Sequence, residues 1–217
     1  MITKTVEAFT KTDMMADIFK KAEAANVHTV GDGFFVVGVR SIMAEKPVKT
    51  LADLKGLTLR VVNSTLYIDT FKALGCNYQA MPMSETFNAL ETGMIDGCEN
   101  TSGNFVNNGI NEAMKTPYYS LDKHMVCVVS LNCGQGFWES LPADYQTIIT
   151  EEFATAITES NQEVADSEEG NLETLKERGV TIVEIDDLSE FQNAVQASNE
   201  KLEGYEEIKT VVESLKK

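Results

Sequence analysis

Positive charge is in short supply in this chain. Eighteen Lys and Arg face thirty-four Asp and Glu, a net charge of −16 over 217 residues. Phosphate-backbone recognition needs clustered cations, and the lysines here are dispersed, so nucleic acid is excluded as a partner and an anionic membrane surface is disfavoured. Histidine is rarer still: His28 and His124 are the only two, and neither belongs to a Ser-His-Asp or His-Glu-x-x-His pattern. A Gly-x-x-x-x-Gly-Lys phosphate loop is also absent. Asp96 with Glu99 is the one carboxylate pair that could carry acid–base work, but a short turn gives no reason for their pKa values to separate. An enzyme is therefore not expected, nor is a cofactor. The four cysteines, Cys76, Cys98, Cys127 and Cys133, show no Cys-x-x-Cys spacing, which removes zinc and thioredoxin-like chemistry. If Cys127 and Cys133 share one strand they lie about 20 Å apart, beyond bridging, so free thiols are expected. No apolar run approaches the roughly eighteen residues of a membrane span, so the chain is not expected to be membrane-inserted. Internal repeats and low-complexity linkers are missing too.

What is present is a globular composition, 43% hydrophobic and 24% charged, long enough for one or two domains. Arginine supplies the first local anomaly. Only Arg40, Arg60 and Arg178 occur, and Arg60 sits where Leu57, Leu59 and Val61 alternate with Thr58, Arg60 and Val62, the period of a strand. A mid-strand guanidinium lies on an exposed edge or points into a wet cleft that awaits an anion, because burying it unpaired costs several kcal/mol. The global charge opposes anion binding, so any such site must be made locally from arginine and backbone N–H groups.

The blocks around Arg60 carry a resemblance. Gly38-Val-Arg40-Ser, Lys46-Pro47, Leu51-Ala-Asp53-Leu-Lys55-Gly56-Leu-Thr-Leu-Arg60-Val, Ala73-Leu-Gly75, Met81-Pro-Met83-Ser-Glu85 and Ala89-Leu-Glu-Thr-Gly93-Met-Ile-Asp96-Gly97-Cys-Glu99-Asn100 succeed one another. In that order and spacing they resemble the solute-binding proteins of tripartite ATP-independent periplasmic (TRAP) transporters, the DctP type. The likeness continues more faintly from His124 to about Val183. It implies an α/β, two-lobed periplasmic-binding-protein-like fold, a Venus flytrap, with mixed sheets and a long lobe-spanning C-terminal helix. The implied organisation is residues 1–62 as a partial first lobe, 63–141 as the second, and 142–217 as the spanning helix with elements completing both. It also implies a periplasmic protein that captures a small organic carboxylate, closes about a hinge and delivers the ligand to TRAP membrane permease subunits. A ligand-sensing module and a non-binding remnant are the alternatives. The start of the chain lacks a signal peptide, which taken literally keeps it in the cytoplasm, whereas the resemblance implies a secreted protein whose leader is absent. Relatives carry roughly a further domain's worth of sequence ahead of the point matched by Thr3. The expectation is a truncated form with an incomplete first lobe, prone to association, in which Phe34, Phe35, Val36 and Val37 are partly uncovered.

Site roles follow from the resemblance residue by residue. Arg60 is the carboxylate clamp, suited by a fork of two parallel N–H donors. Arg40 supplies a second contact, or is a surface charge at a strand end. Asn63 and Asn100 donate side-chain amides, or serve as turn and cap residues. Met83 stands where many members carry an aromatic wall, which leaves an apolar, adaptable surface. Glu99 is a ligand partner or metal ligand in some relatives and otherwise a satisfied structural carboxylate; no metal is expected here. Asp96-Gly97 reads as a turn that places Asn100.

Local signals place the elements. Helix is expected over 12–25 with Thr12 or Asp13 as cap, and strands over 26–30 and 34–39 about a Gly31-Asp32-Gly33 turn. Thr50 and Asp53 form a capping box before the Arg60 strand, and Gly75 stops a helix over 66–74. Strands 78–81 and 94–96 flank a helix over 85–92 capped by Ser84, and a polar segment from Asn100 to Gly109 opens another helix. Strands 118–121 and 125–132 follow. A long helix runs from Pro142 towards Arg178 with a bend at Gly170, then a strand over 180–185 and a final helix from Asp187 with a lysine-rich last turn.

Overall fold

The computed structural model describes residues 2–31, 33–202 and 204–215. Asp32 of the expected glycine turn and the lysines of the last turn, Lys216 and Lys217, lie outside the described residues. In chain order the elements are α1 (Ile2–Thr10), α2 (Asp13–Ala24), β1 (Val27–Thr29), β2 (Phe35–Ala44), β3 (Thr58–Val61), α3 (Thr65–Leu74), β4 (Asn77–Ala80), α4 (Met83–Glu91), β5 (Gly97–Thr101), α5 (Ser102–Asn108), β6 (Tyr118–Val129), β7 (Asn132–Gly134), α6 (Gln135–Ser140), α7 (Ala143–Glu177), β8 (Thr181–Val183), α8 (Ser189–Asn199) and α9 (Tyr205–Leu215). The strands make a two-stranded sheet, β1-β7, and a mixed six-stranded sheet in the order β4-β3-β5-β2-β6-β8.

Two compact units divide the chain: residues 1–37, 127–166 and 204–217, and residues 38–126 and 167–203. The division differs from the expected break at residue 62. Residues 38–62 join the second unit because β3 is hydrogen-bonded on both sides, parallel to β4 and to β5, while residues 40–44 of β2 pair antiparallel with β5. A strand interior to a sheet cannot be assigned away from its neighbours.

In the first unit β1 pairs antiparallel with β7, His28 opposite Cys133, and the Trp138 indole stacks on the His28 ring at 4.2 Å between centroids. Asn161, within α7, is buried because its amide closes on the backbone: Oδ1 accepts from Val36 N at 2.7 Å and Nδ2 donates to Phe34 O at 3.0 Å. Among the described residues, the buried apolar side chains of this unit are Met15, Val30, Val36 and Ile157, while Phe137, Tyr145 and Ile148 are exposed. Phe34, Phe35 and Val37 are half-buried and Val36 is buried. Cys127 and Cys133 stand on different strands, β6 and β7, and all four cysteines are free.

The second unit holds both hydrophobic clusters. Met43, Met81, Leu90, Cys98, Phe105 and Tyr119 belong to one cluster, and Ile42, Leu54, Leu59, Val61, Phe71 and Phe191 to the other. The clusters follow the strand period: Leu59 and Val61 of β3 and Ile42 of β2 are in one, Cys98 of β5 and Met43 of β2 in the other. The capping box forms as expected, with Asp53 Oδ2 accepting from Thr50 N at 2.9 Å. Gly75 ends α3 in the left-handed region, φ 83.

Several expected boundaries move, each for a local reason. Residues 94–96 are not a strand, because Met94 N and Ile95 N both donate back to Ala89 O and close α4 through Gly93 at φ 69. The strand begins at Gly97, where an added Cβ would stand 2.4 Å from Met43 O. Asp96 instead clasps Thr58, its Oδ2 accepting from Thr58 N at 2.7 Å. Helix α4 starts at Met83 after Pro82, so Ser84 lies inside it rather than capping it. The segment from Tyr118 to Val129 is one strand, since Lys123 takes φ 49 and donates its N–H to Ser41 Oγ at 3.1 Å instead of turning the chain. Asn100 is a strand residue, and Thr101 caps α5 by accepting from Asn104 N. The expected final helix is two, α8 and α9, with Gly204 at φ 79 between them. Helix α1 carried no expectation.

Phe191 brings α8 into the cluster built on β2 and β3, so truncating it opens a cavity in that core. Phe191→Ala is expected to lose about 3–5 kcal/mol in urea unfolding, and Ile148→Ala, at an exposed position, no more than about 0.5 kcal/mol. Equal losses at the two positions would contradict this core assignment.

Candidate functional site

Three parallel strand ends assemble the site. Each of β3, β4 and β5 runs at its carboxyl end into a helix, α3, α4 and α5 respectively. This gathers helix N-termini, with their unpaired N–H groups, along one edge of the sheet, the edge where ligands of α/β sheets bind. Arg60, Met83, Glu99 and Asn100 all lie at that edge, on β3, on the first turn of α4 and on β5.

Glu99 is fully buried, and a lone carboxylate there would cost several kcal/mol. Arg40 closes on it with a fork: Nε donates to Oε2 at 2.5 Å and Nη2 to Oε1 at 2.8 Å, while Nη2 also reaches Glu99 O at 3.2 Å. The guanidinium sits over the Tyr67 ring at 5.2 Å. Register explains the meeting, because Arg40 pairs with Thr101 and Ile42 with Glu99 on adjacent antiparallel strands. The fork that the sequence assigns to a second ligand contact is thus committed to Glu99.

A second pair of groups lines the same carboxylate. His124 has a fully buried side chain, its Nε2 3.6 Å from Glu99 Oε2 and its Nδ1 2.7 Å from Asp122 Oδ2. Asp122 is itself tied down, its Oδ1 accepting from Ile42 N at 3.0 Å. Burial works against a charged imidazole, but Asp122, and then Glu99, outweigh it and raise the His124 pKa to about 9. Burial likewise works against a charged Glu99, yet His124 and Arg40 hold its pKa below the ordinary carboxylate value.

Arg60 is held differently. Its Nε donates to Met81 O at 2.9 Å, and its Nη1 stands 3.8 Å from Glu99 Oε1, an ion pair without a hydrogen bond. Burial lowers its pKa, Glu99 opposing, and a guanidinium remains cationic throughout. Among the described residues, no hydrogen bond is found for the terminal nitrogens of its fork. With His124 protonated, as its raised pKa implies, the five side chains Arg40, Arg60, His124, Glu99 and Asp122 carry among themselves one positive charge more than negative. A bound anion would neutralise that excess.

Asn100 is buried beside this group; its Oδ1 accepts from Thr101 N at 2.9 Å and its Nδ2 donates to Met83 Sδ at 3.7 Å. Asn63 lies on the exposed bend after β3, without a side-chain hydrogen bond among the described residues. The structure therefore brings together Arg60, Arg40, Glu99, Asn100 and Met83, and among the described residues no hydrogen bond joins the Asn63 side chain to them. Both carboxylate oxygens of Glu99 accept from Arg40, and no group of three His, Cys, Asp or Glu side chains placed to hold a metal ion occurs among the described residues. Sequence reading missed Asp122 and His124. The signal was an Asp-x-His pair in a strand otherwise apolar enough to be central, which put two ionisable side chains where only paired ones survive.

Residues 3–204 match the bacterial extracellular solute-binding protein family 7, DctP. The C4-dicarboxylate-binding periplasmic protein DctP of Rhodobacter capsulatus is 30% identical over 164 residues, 76% of this chain and 48% of that protein. Among solved structures, a TRAP periplasmic solute-binding protein from Fusobacterium with bound sn-glycerol-3-phosphate superposes with a TM-score of 0.91 at 32% identity, covering 99% of this chain and 70% of that one. Another, from Xanthobacter autotrophicus with bound β-D-galacturonate, gives 0.86 at 26% identity over 98% of this chain and 70% of that one. The mixed six-stranded sheet and the long helix α7 are those of the TRAP periplasmic solute-binding protein fold. The chain spans about half the length of the curated relatives it matches.

The raised His124 pKa makes a linkage prediction. The folded state holds this proton more tightly than the unfolded chain, so its stabilisation is complete below the unfolded value of 6.5 and is lost as pH climbs through about 9. Urea unfolding from about pH 6 to about pH 10 is expected to show His124→Gln converging on the parent protein as pH rises. A constant difference between the two across that window would show that His124 is neutral when folded.

Proposed function

The chain belongs to the bacterial extracellular solute-binding protein family 7, DctP, and from that premise we propose that it is the solute-binding part of a TRAP transporter, taking a small organic carboxylate on Arg60. The family binds solutes in the periplasm and is not one of enzymes, so capture and release are the whole of the proposed activity and no cofactor enters it. The observation that supports the reading is the state of Arg60. Its Nε is fixed by Met81 O, while among the described residues the terminal nitrogens of its fork have a 3.8 Å ion pair with Glu99 and no hydrogen bond, beside a protonated His124. A carboxylate offers two parallel acceptors to that fork, and its charge balances the cluster.

In this proposal Arg40, Glu99, His124 and Asp122 form the scaffold that keeps Arg60 aimed. Asn100 donates a side-chain hydrogen bond to the ligand, Met83 provides an apolar wall, and Asn63 contributes from the bend after β3. Capture is followed by hinge closure and delivery to the membrane permease subunits. Relatives bind anions of two kinds, a sugar acid and a phosphate ester, so the head group is the point to test.

Calorimetry with galacturonate, malate and glycerol-3-phosphate separates these possibilities. Arg60→Ala is expected to abolish carboxylate binding and leave the fold intact, and Arg60→Lys to weaken it substantially, since a point charge cannot reproduce the fork. Asn100→Ala should cost about 1 kcal/mol for one neutral hydrogen bond. Unchanged carboxylate affinity in Arg60→Ala would overturn the clamp, and binding of the phosphate ester alone would replace the carboxylate by a phosphate.

A further inference from the structure

The three residues Met81-Pro82-Met83 touch both groups proposed to hold the ligand. Met81 O accepts from Arg60 Nε at 2.9 Å, and two residues on Met83 Sδ accepts from Asn100 Nδ2 at 3.7 Å. The first contact aims the cation. The second bears on an amide whose orientation the backbone already decides, because Thr101 N can only donate and therefore faces Asn100 Oδ1, at 2.9 Å. Nδ2 must then lie on the side of Met83, whose thioether can only accept. Thr86 Oγ1 stands 3.8 Å from the same sulfur, one helical turn along α4, so the sulfur is held by its own helix as well as by Asn100. An NH2 group has two hydrogens. One is directed to Met83, and no partner is found for the other among the described residues.

We propose that Met83 is a positioning residue: its sulfur pins the Asn100 amide so that the second N–H projects beside the Arg60 fork, which selects carboxylates bearing an acceptor oxygen on the carbon next to the carboxyl group. The proposal rests on the carboxylate reading above. Without the sulfur, the amide is anchored through Oδ1 alone and can swing its NH2 away. A hydroxyl or keto oxygen adjacent to the ligand's carboxylate meets the pinned N–H; a simple methylene leaves that donor buried and unsatisfied, so the site discriminates against it. An aromatic residue at position 83 would give the ligand a flat wall but no sulfur acceptor for Asn100. Met83 thus exchanges a stacking surface for a fixed donor.

Met83→Leu preserves size and apolarity and removes the acceptor. L-Malate and succinate, which differ by one hydroxyl next to a carboxylate, are the probes. The parent protein is expected to prefer malate; the variant should lose roughly fivefold in malate affinity, the worth of one neutral hydrogen bond, with succinate unchanged. In the ligand-free protein, the Asn100 side-chain amide resonances in a 1H–15N spectrum should shift and exchange faster in Met83→Leu, while the Asn104 amide resonances stay in place. Equal losses for both ligands, or Asn100 resonances that do not move, would overturn the positioning role and leave Met83 as a wall. A parent protein that binds galacturonate but neither malate nor succinate would overturn the selectivity claim alone, and one that binds none of the three would overturn the carboxylate reading with it; the resonance comparison would then decide the Met83–Asn100 contact by itself.

Discussion

The carboxylate of Glu99 is the interaction on which the rest of the second unit depends. It is wholly buried between three cationic side chains drawn from three strands, Arg40 from β2, Arg60 from β3 and His124 from β6. Each of those groups would be costly to bury alone, and Glu99 would be too. Together they are mutually compensating, and their common partner ties the antiparallel side of the sheet to its parallel side. The apolar clusters on the two faces supply the bulk of the stabilisation; the charged cluster fixes which strand ends meet at the binding edge.

The same cluster shows how, in the proposed function, an acidic chain would attract an anion. At a net charge of −16 the long-range field is repulsive, but screening limits that field to about 10 Å in ordinary salt. Within the cluster itself, with His124 protonated, Arg40 and His124 stand against Glu99 and Asp122, and the charge of Arg60 is added to them. The helix N-termini behind β3 and β4 add to the local positive potential. In the proposal, selectivity comes from what stands beside the cation, where Asn100 and Met83 meet.

Legibility in the sequence follows the range of the interaction concerned. Local signals were readable: the Thr50–Asp53 box, the Gly75 stop, the period-two strand around Arg60 and the long helix after Pro142 all stand where residue chemistry puts them. Family motifs brought Arg60, Arg40, Glu99, Asn100 and Met83 together ahead of the structure. Signals that depend on a distant partner were not readable. Residues 94–96 have strand-like composition, yet the N–H groups of Met94 and Ile95 are taken by Ala89 O and that of Asp96 by Thr58 O. Lys123 gives no sign that it will adopt φ 49 and carry β6 onward, because that choice is made by Ser41 across the sheet. Asp122 and His124 gain meaning only when β6 is laid beside β2 in its register. Arg40 was assigned a ligand contact on the Gly-x-Arg motif, with a surface charge at a strand end as the alternative, and the pairing of β2 with β5 brings Glu99 to its fork.

The unfolding free energy of Glu99→Gln, with and without a saturating carboxylate, tests the central claim most directly. Replacing the charge leaves three buried cations facing Asp122 alone, so the account predicts a loss of about 3–5 kcal/mol, part of which a bound carboxylate restores by supplying the missing negative charge. A loss below about 1 kcal/mol, or a loss indifferent to the anion, would contradict it and reduce the cluster to an incidental set of ion pairs.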